Sequence, residues 1–201
     1  MRNALLMATC IGVAMISGCS DDKAATGAGV SVYKYTIVSP NANITATEST
    51  ISGTGTLKFE SPLVGDNMNK INVAFTLEDG GAFKLIANSD SNLKDGIEFA
   101  FVRNGANYEG QVIVGGVSKT LHDILGDKIG KADGRMALQI EIHNKEAGEP
   151  GAHLIFRTEA GVEIAQIDGD ESPGHGIGTF WGIALDKSAL VGLGNEKGTE
   201  H

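Results

Sequence analysis

Residues 97–114 read Ile-Glu-Phe-Ala-Phe-Val-Arg-Asn-Gly-Ala-Asn-Tyr-Glu-Gly-Gln-Val-Ile-Val, and this stretch decides the fold. Across residues 97–101, large apolar side chains alternate with Glu98 and Ala100, which is the period of a half-buried strand. Asn104-Gly105 follows, and this dipeptide is the strongest short-range signal for a β-hairpin turn. Residues 108–114 then supply the returning arm. The stretch therefore predicts an antiparallel hairpin.

The same period of two recurs along most of the chain. The predicted strands are 30–38, 54–59, 71–77, 83–87, 97–101, 108–114, 136–142, 153–157, 162–167, 179–185 and 189–193. Short strands separated by turns at this spacing are typical of an antiparallel sandwich or barrel. Without an internal repeat or a second composition zone, they predict one β-sandwich domain over residues 30–195, followed by a polar tail at 196–201.

One short helix is predicted near residues 120–126. Thr120 to Asp123 resembles a capping box with Asp in place of Glu, and Gly126 could end the helix. Leu121, Ile124 and Leu125 share one face of such a helix. No other part of the chain after residue 29 has a helical pattern.

The chain begins with a short export-like segment. Met1-Arg2 is positive, residues 4–16 are almost wholly apolar, and small residues lead to Cys19. The apolar run is shorter than the about 20 residues that span a bilayer, which favours a cleaved signal over a membrane helix. A signal peptide cut at another position is the remaining alternative.

Ile16-Ser17-Gly18-Cys19 resembles the lipobox of bacterial lipoproteins. The resemblance implies cleavage of the signal peptide 1–18, lipidation of Cys19, and attachment to a cell-envelope membrane through that lipid. Ser20 follows the cysteine, which resembles the sorting pattern of outer-membrane rather than inner-membrane lipoproteins. Residues 19–29 are polar and small, and they predict a flexible tether with a reach of roughly 17 Å.

Charge and cysteine content narrow the classes of partner. The chain has a net charge of −9, and loss of Arg2 with the signal peptide makes it about −10. An acidic chain without a basic cluster excludes nucleic acid as a partner and disfavours electrostatic docking on anionic lipid. Because Cys10 would also be removed, Cys19 would be the only cysteine left, and no disulfide could form within the mature domain.

The C-terminal half resembles a known family. Residues 135–144, 152–156 and 178–185 resemble the late strands of concanavalin A-like, laminin G-like jelly rolls, with a hairpin, a glycine-rich loop and a closing Trp-Gly strand. The resemblance implies an all-β antiparallel jelly-roll sandwich. This superfamily contains lectins, adhesion modules, glycoside hydrolases and polysaccharide lyases, so it implies glycan or a cell-surface protein as the partner.

A catalytic role is less favoured than binding. Hydrolases of this fold carry Glu-x-Asp-x-x-Glu on one strand, whereas residues 139–143 read Gln-Ile-Glu-Ile-His, with a single carboxylate. Retaining and inverting glycosidases need two carboxyl groups about 5 Å or about 6.5–9.5 Å apart. We therefore assign no catalytic residue. A carbohydrate-active enzyme using Glu141, His143 and Arg157 stays an alternative.

The candidate ligand-binding residues lie in the predicted hairpin of strands 136–142 and 153–157. Gln139, Glu141 and His143 project to one face, and pairing of His143 with His153 would set Arg157 opposite Gln139. One interpretation is a polar patch on a concave sheet that binds sugar hydroxyls. The alternative is an ordinary solvated sheet face with a Glu–His or Gln–Arg cross-strand pair.

Asp168, Asp170 and Glu171 are candidate calcium ligands, because they are clustered in a glycine-containing loop and carboxylate oxygens suit this ion. An acidic surface turn is the alternative.

Trp181 alternates with Ile183 and Leu185, which predicts that it faces the core. The favoured function is a glycan-binding or adhesion module. The two alternative functions are a structural envelope lipoprotein without a small ligand and the carbohydrate-active enzyme described above.

Overall fold

A computed structural model describes residues 30, 33–63, 68–121, 128–130, 134–144, 151–174 and 178–198. The predicted signal peptide, Cys19 and the tether lie outside these residues. Residues 122–127, which hold most of the predicted helix, also lie outside them. Within the described part of the chain, no helix is long and apolar enough to cross a membrane.

Eleven β-strands make up nearly all the regular structure of the described residues, and every strand pair is antiparallel. They are β1 (Tyr35–Ile37), β2 (Asn43–Ala46), β3 (Ile51–Phe59), β4 (Met68–Ser89), β5 (Ile97–Asn104), β6 (Asn107–Val114), β7 (Val117–Thr120), β8 (Met136–His143), β9 (His153–Thr158), β10 (Glu163–Ile167) and β11 (Phe180–Lys197). The predicted all-β antiparallel class is confirmed. The hairpin predicted from residues 97–114 is β5–β6, and it pairs Asn104 with Asn107 around Gly105.

The strands form two sheets that share three long strands. Sheet I contains β1, β5, β6 and β7, together with the end of β3, the second half of β4 and the first half of β11. Sheet II contains β2, β8, β9 and β10, together with the other parts of those three strands. β4 and β11 pair along almost their whole length, from Phe180 with Ser89 to Lys197 with Asn69.

β4 and β11 pass from one sheet to the other at a common corner. β4 turns at its exposed Glu78-Asp79-Gly80 segment, and the register of β11 shifts between Asp186 and Ser188. A Cβ atom on Gly81 would lie 2.5 Å from the carbonyl oxygen of Lys187, so the two strands approach closely only because residue 81 is glycine. At this corner the paired strands β4 and β11 bend together, so that one part of the pair belongs to sheet I and the other part to sheet II.

The core lies between the two sheets and is rich in phenylalanine. Phe99 of sheet I meets Phe156 of sheet II edge to face at 5.9 Å between ring centroids. Phe75 stacks on Phe83 across the corner of β4 at 4.3 Å. Trp181 is fully buried, which confirms the sequence prediction for its direction. These contacts make sheet I and sheet II a single packed unit.

The structure differs from the predicted elements in several places. The predicted strands 71–77 and 83–87 are two parts of β4, and the two predicted strands at 179–193 are one strand that continues to Lys197. β11 therefore runs into the predicted polar tail. β2 and β7 were not predicted, because each is a short, mostly polar edge strand. Thr120, the predicted start of the helix, is the last residue of β7.

Candidate functional site

The outward surface of sheet II carries the predicted ligand-binding residues. On β8, Leu138, Ile140 and Ile142 belong to the core, so Gln139 and Glu141 point to the opposite side of the sheet. β8 pairs with β9, and the register joins His143 with His153 and Gln139 with Arg157. The predicted hairpin register is therefore confirmed.

β4 and β11 extend this surface beyond the predicted hairpin. β4 lies on the other side of β8, where it pairs Lys70 with Glu141 and Asn72 with Gln139. β11 then sets Glu196 beside Lys70. We call the combined surface the polar face. Its residues are Lys70, Asn72, Gln139, Glu141, His143, His153, Arg157, Glu163, Asp168 and Glu196.

One half of the polar face is a hydrogen-bonded chain of side chains. Gln139 Nε2 donates to Asn72 Oδ1 at 2.9 Å, and Asn72 Nδ2 donates to Glu196 Oε1 at 3.2 Å. The ammonium of Lys70 lies 3.6 Å from the other oxygen of Glu196. The chain fixes both amide groups in orientation, because each amide has a partner on a neighbouring strand.

Glu141 is the centre of the other half of the polar face. Its side chain is 4% exposed, and its Oε1 lies 3.5 Å from Nε of Arg157. Its Oε2 lies 3.7 Å from Nε2 of His143 and has no hydrogen-bond partner among the described residues. Arg157 also reaches Glu163, with 3.3 Å between Nη1 and Oε2. One guanidinium thus lies between two carboxylates.

The two histidines complete the polar face. Their rings lie 5.5 Å apart between centroids, and Nε2 of His153 is 3.4 Å from Oδ1 of Asp168. Burial falls from the centre outward, since Gln139 is 7% exposed whereas the side chain of Asp168 is 55% exposed. The centre is therefore not the solvated sheet surface of the alternative interpretation, although the Glu–His contact that it named is present.

The structure does not bring the three candidate calcium ligands together. Asp168 lies beside His153, whereas Glu171 pairs with Lys119 of sheet I at 2.6 Å. The hydrogen bond and the charge of Lys119 hold the pKa of the Glu171 carboxyl below its usual value. Among the described residues, no three His, Cys, Asp or Glu side chains are arranged to hold a metal. The calcium site stays a prediction.

Lys70, Asn72, Glu163 and Glu196 were not predicted as site residues. Asn72 alternates with core residues on a predicted strand, so its direction could be read from the sequence. Its neighbour Gln139 is 67 residues away along the chain, and no local pattern places the two side by side. Glu163 lies within a predicted strand, but a register shift between Glu163 and Ala165 sets its position against Arg157.

The surface combines amide, carboxylate, imidazole and guanidinium groups on five neighbouring strands and one flanking loop. Amides can both donate and accept hydrogen bonds, carboxylates accept them, and guanidinium groups only donate. Strands hold such groups more firmly than loops do. The arrangement therefore suits a ligand whose own groups both donate and accept hydrogen bonds at several positions.

No protein-family model matches the sequence, and no curated protein is similar to it. Solved structures do share the fold. A carbohydrate binding module from Bacillus subtilis, CBM66, superposes with a TM-score of 0.52 at 12% identity, covering 81% of this chain and 95% of that one. This similarity, together with the strand arrangement, confirms the predicted antiparallel jelly-roll sandwich.

Two other similar structures are less close by TM-score. The exoplasmic/lumenal domain of VIP36, in a Ca2+/Man3GlcNAc-bound form, has a TM-score of 0.48 at 12% identity, and the match covers 85% of this chain and 86% of that one. Galectin LEC-6 of Caenorhabditis elegans has a TM-score of 0.44 at 9% identity, covering 76% and 99%.

Proposed function

We propose that this chain is an exported bacterial lipoprotein whose jelly-roll domain binds glycan through the polar face. Cys19 carries the lipid, residues 19–29 are the tether, and the outer membrane is favoured over the inner membrane. The observation that carries the binding proposal is the polar face itself. It holds fixed polar groups on neighbouring strands, with the buried carboxylate of Glu141 at its centre.

Sugar hydroxyls are both donors and acceptors, so they match a surface that offers both kinds of group. The chain Gln139–Asn72–Glu196 supplies amide donors and a carboxylate acceptor within one short row. Because these side chains hold one another in place, little conformational entropy remains to be lost when a ligand binds. The fold shared with the Bacillus subtilis carbohydrate binding module supports the same class of ligand.

The first prediction concerns glycan retention. We expect the soluble 20–201 fragment to bind a subset of an immobilised glycan array, both with calcium and with EDTA. Asn72→Ala should weaken that binding by about tenfold, because it removes the partner that orients Gln139. Gln111→Ala is the matched control, since Gln111 is a half-buried amide on β6 in sheet I.

Absence of retention under both ionic conditions would contradict the glycan proposal and favour a structural envelope lipoprotein without a small ligand. If Asn72→Ala and Gln111→Ala weaken glycan binding equally, the binding site does not lie on the polar face. Circular dichroism of both variants would show that each keeps its β-sheet content.

The second prediction concerns the anchor. Cys19→Ala should abolish incorporation of labelled palmitate and shift the protein from the membrane fraction to the soluble fraction, because the lipid is the proposed attachment. Cys10→Ala is the matched control and should leave both properties unchanged, since Cys10 lies within the predicted signal peptide. Palmitate labelling that persists in Cys19→Ala would contradict this part of the proposal.

A further inference from the structure

The charges of the polar face do not balance. Its cations with a permanent charge are Lys70 and Arg157, whereas its carboxylates are Glu141, Glu163, Asp168 and Glu196. Lys70 is matched by Glu196 alone, but Arg157 is shared between Glu141 and Glu163. The carboxylates of the polar face therefore outnumber its permanent cations by four to two, and the excess lies near β9 and β10.

We infer that the polar face prefers glycans with free amino groups to neutral glycans, and that it rejects glycans rich in carboxylates. This inference rests on the proposed function, because it specifies the ligand of the same site. An ammonium group donates hydrogen bonds to carboxylates with added charge attraction. Among the described residues of the polar face, a uronate would meet only permanent cations that already have carboxylate partners.

The excess charge is placed where a ligand can reach it. The side chains of Glu163, Glu196 and Asp168 are 47%, 45% and 55% exposed, and they stand at the rim of the polar face. Exposed carboxylates of this kind can approach a bound ammonium directly. The hydroxyl-binding amides Asn72 and Gln139 lie between the two ends of this rim.

Glu141 is an independent indication of an unused hydrogen-bond acceptor in the polar face. Its side chain is more than nine-tenths buried on the outward side of β8, and its Oε2 has no hydrogen-bond partner among the described residues. A charge in this position acts over a longer distance than an exposed one, because it is less screened by water. Arg157 offsets part of this charge at the other oxygen of Glu141, and Oε2 keeps a weaker negative potential beneath the rim carboxylates.

The net charge of the whole chain has the same sign. At −9, the protein repels polyanions at long range and attracts cationic ligands, and both effects weaken as salt is added. The overall charge alone would attract any cation. The polar face adds amide groups beside the carboxylates, so the inferred ligand is a sugar chain that carries amines, and not a cation alone.

The test compares three hexasaccharides of equal length with the full-length chain purified in detergent, at neutral pH. They are de-N-acetylated chitohexaose, fully N-acetylated chitohexaose and hexagalacturonate. At low salt we expect the amino form to bind about five- to tenfold more tightly than the N-acetylated form, since exposed charge pairs each contribute modestly. The galacturonate should not bind, and high salt should remove most of the preference.

Two variants locate the effect. Glu163→Gln and Asp168→Asn should each reduce the preference for the amino form by about two- to threefold while binding of the N-acetylated form is kept. Glu109→Gln is the matched control, because Glu109 is an exposed carboxylate on β6. A control effect as large as that of the two rim variants would overturn the assignment to the polar face.

The outcomes separate this inference from the proposed function. If the N-acetylated form binds as tightly as the amino form, the inference fails and glycan binding stands. If a hexalysine peptide binds as tightly as the amino form while the N-acetylated form does not bind, the face recognises cations in general and the inference is wrong. If none of the three sugars binds and the array is also empty, glycan binding itself fails.

Discussion

Replacement of Trp181 by alanine should lower the free energy of unfolding by about 3–5 kcal/mol, the usual cost of truncating a large buried aromatic side chain. Trp181 is fully buried and packs on Phe59 at 4.4 Å and Tyr33 at 5.6 Å between ring centroids. Its Nε1 donates to the carbonyl of Ser61 at 2.7 Å. The change would remove both the packing and this donor. A domain of ordinary stability has only about 5–15 kcal/mol to lose.

Unfolding in urea should be followed by far-ultraviolet circular dichroism, because Trp181 is the only tryptophan and its fluorescence is lost in the variant. Phe180→Ala is a matched control on the same strand. Phe180 is 37% exposed, so its truncation should cost less than about 1 kcal/mol. Similar losses for the two variants would contradict the assignment of Trp181 to the core.

Replacement of Arg157 by alanine should lower the free energy of unfolding by about 3 kcal/mol. The expected cost is large because the buried carboxylate of Glu141 would lose its permanent positive partner, and an uncompensated buried charge is strongly destabilising. The double variant Arg157→Ala/Glu141→Gln should recover much of the loss, since its buried group is a neutral amide. Urea unfolding of the two single variants and the double variant gives the coupling energy directly.

Lys70→Ala is the matched control for Arg157→Ala. Its ion pair with Glu196 joins a partly exposed ammonium to a 45% exposed carboxylate, so its loss should cost less than about 1 kcal/mol. Additive effects of Arg157→Ala and Glu141→Gln would show that the two groups do not interact. In that case Glu141 would not organise the centre of the polar face.

The sequence predicts those parts of the fold that depend on neighbouring residues. Alternation along the two strands predicts that Arg157 faces Gln139 if His143 pairs with His153, and the structure has both pairs. The corner could not be predicted in this way. Asp79-Gly80-Gly81 has the composition of a turn, but β4 stays paired with β11 on both sides of it, at Leu77 and at Ala82.

The candidate site was predicted in part, for the same physical reason. One hairpin brings Gln139, Glu141 and Arg157 together, so a local pattern is sufficient to find them. Asn72 reaches Gln139 only because β4 pairs with β8, which are distant in sequence. The burial of Glu141 was also not predictable, because it depends on neighbours from both adjacent strands and on the shape of the sheet.

The long pairing of β4 with β11 also determines when the domain can fold. The partners lie about 90 to 130 residues apart, and β11 follows the other ten strands of the described residues. Contacts at such separations form late, since the intervening chain must first be closed into a loop. A chain exported from its N-terminus would therefore arrive outside with β3 and β4 still open along one edge.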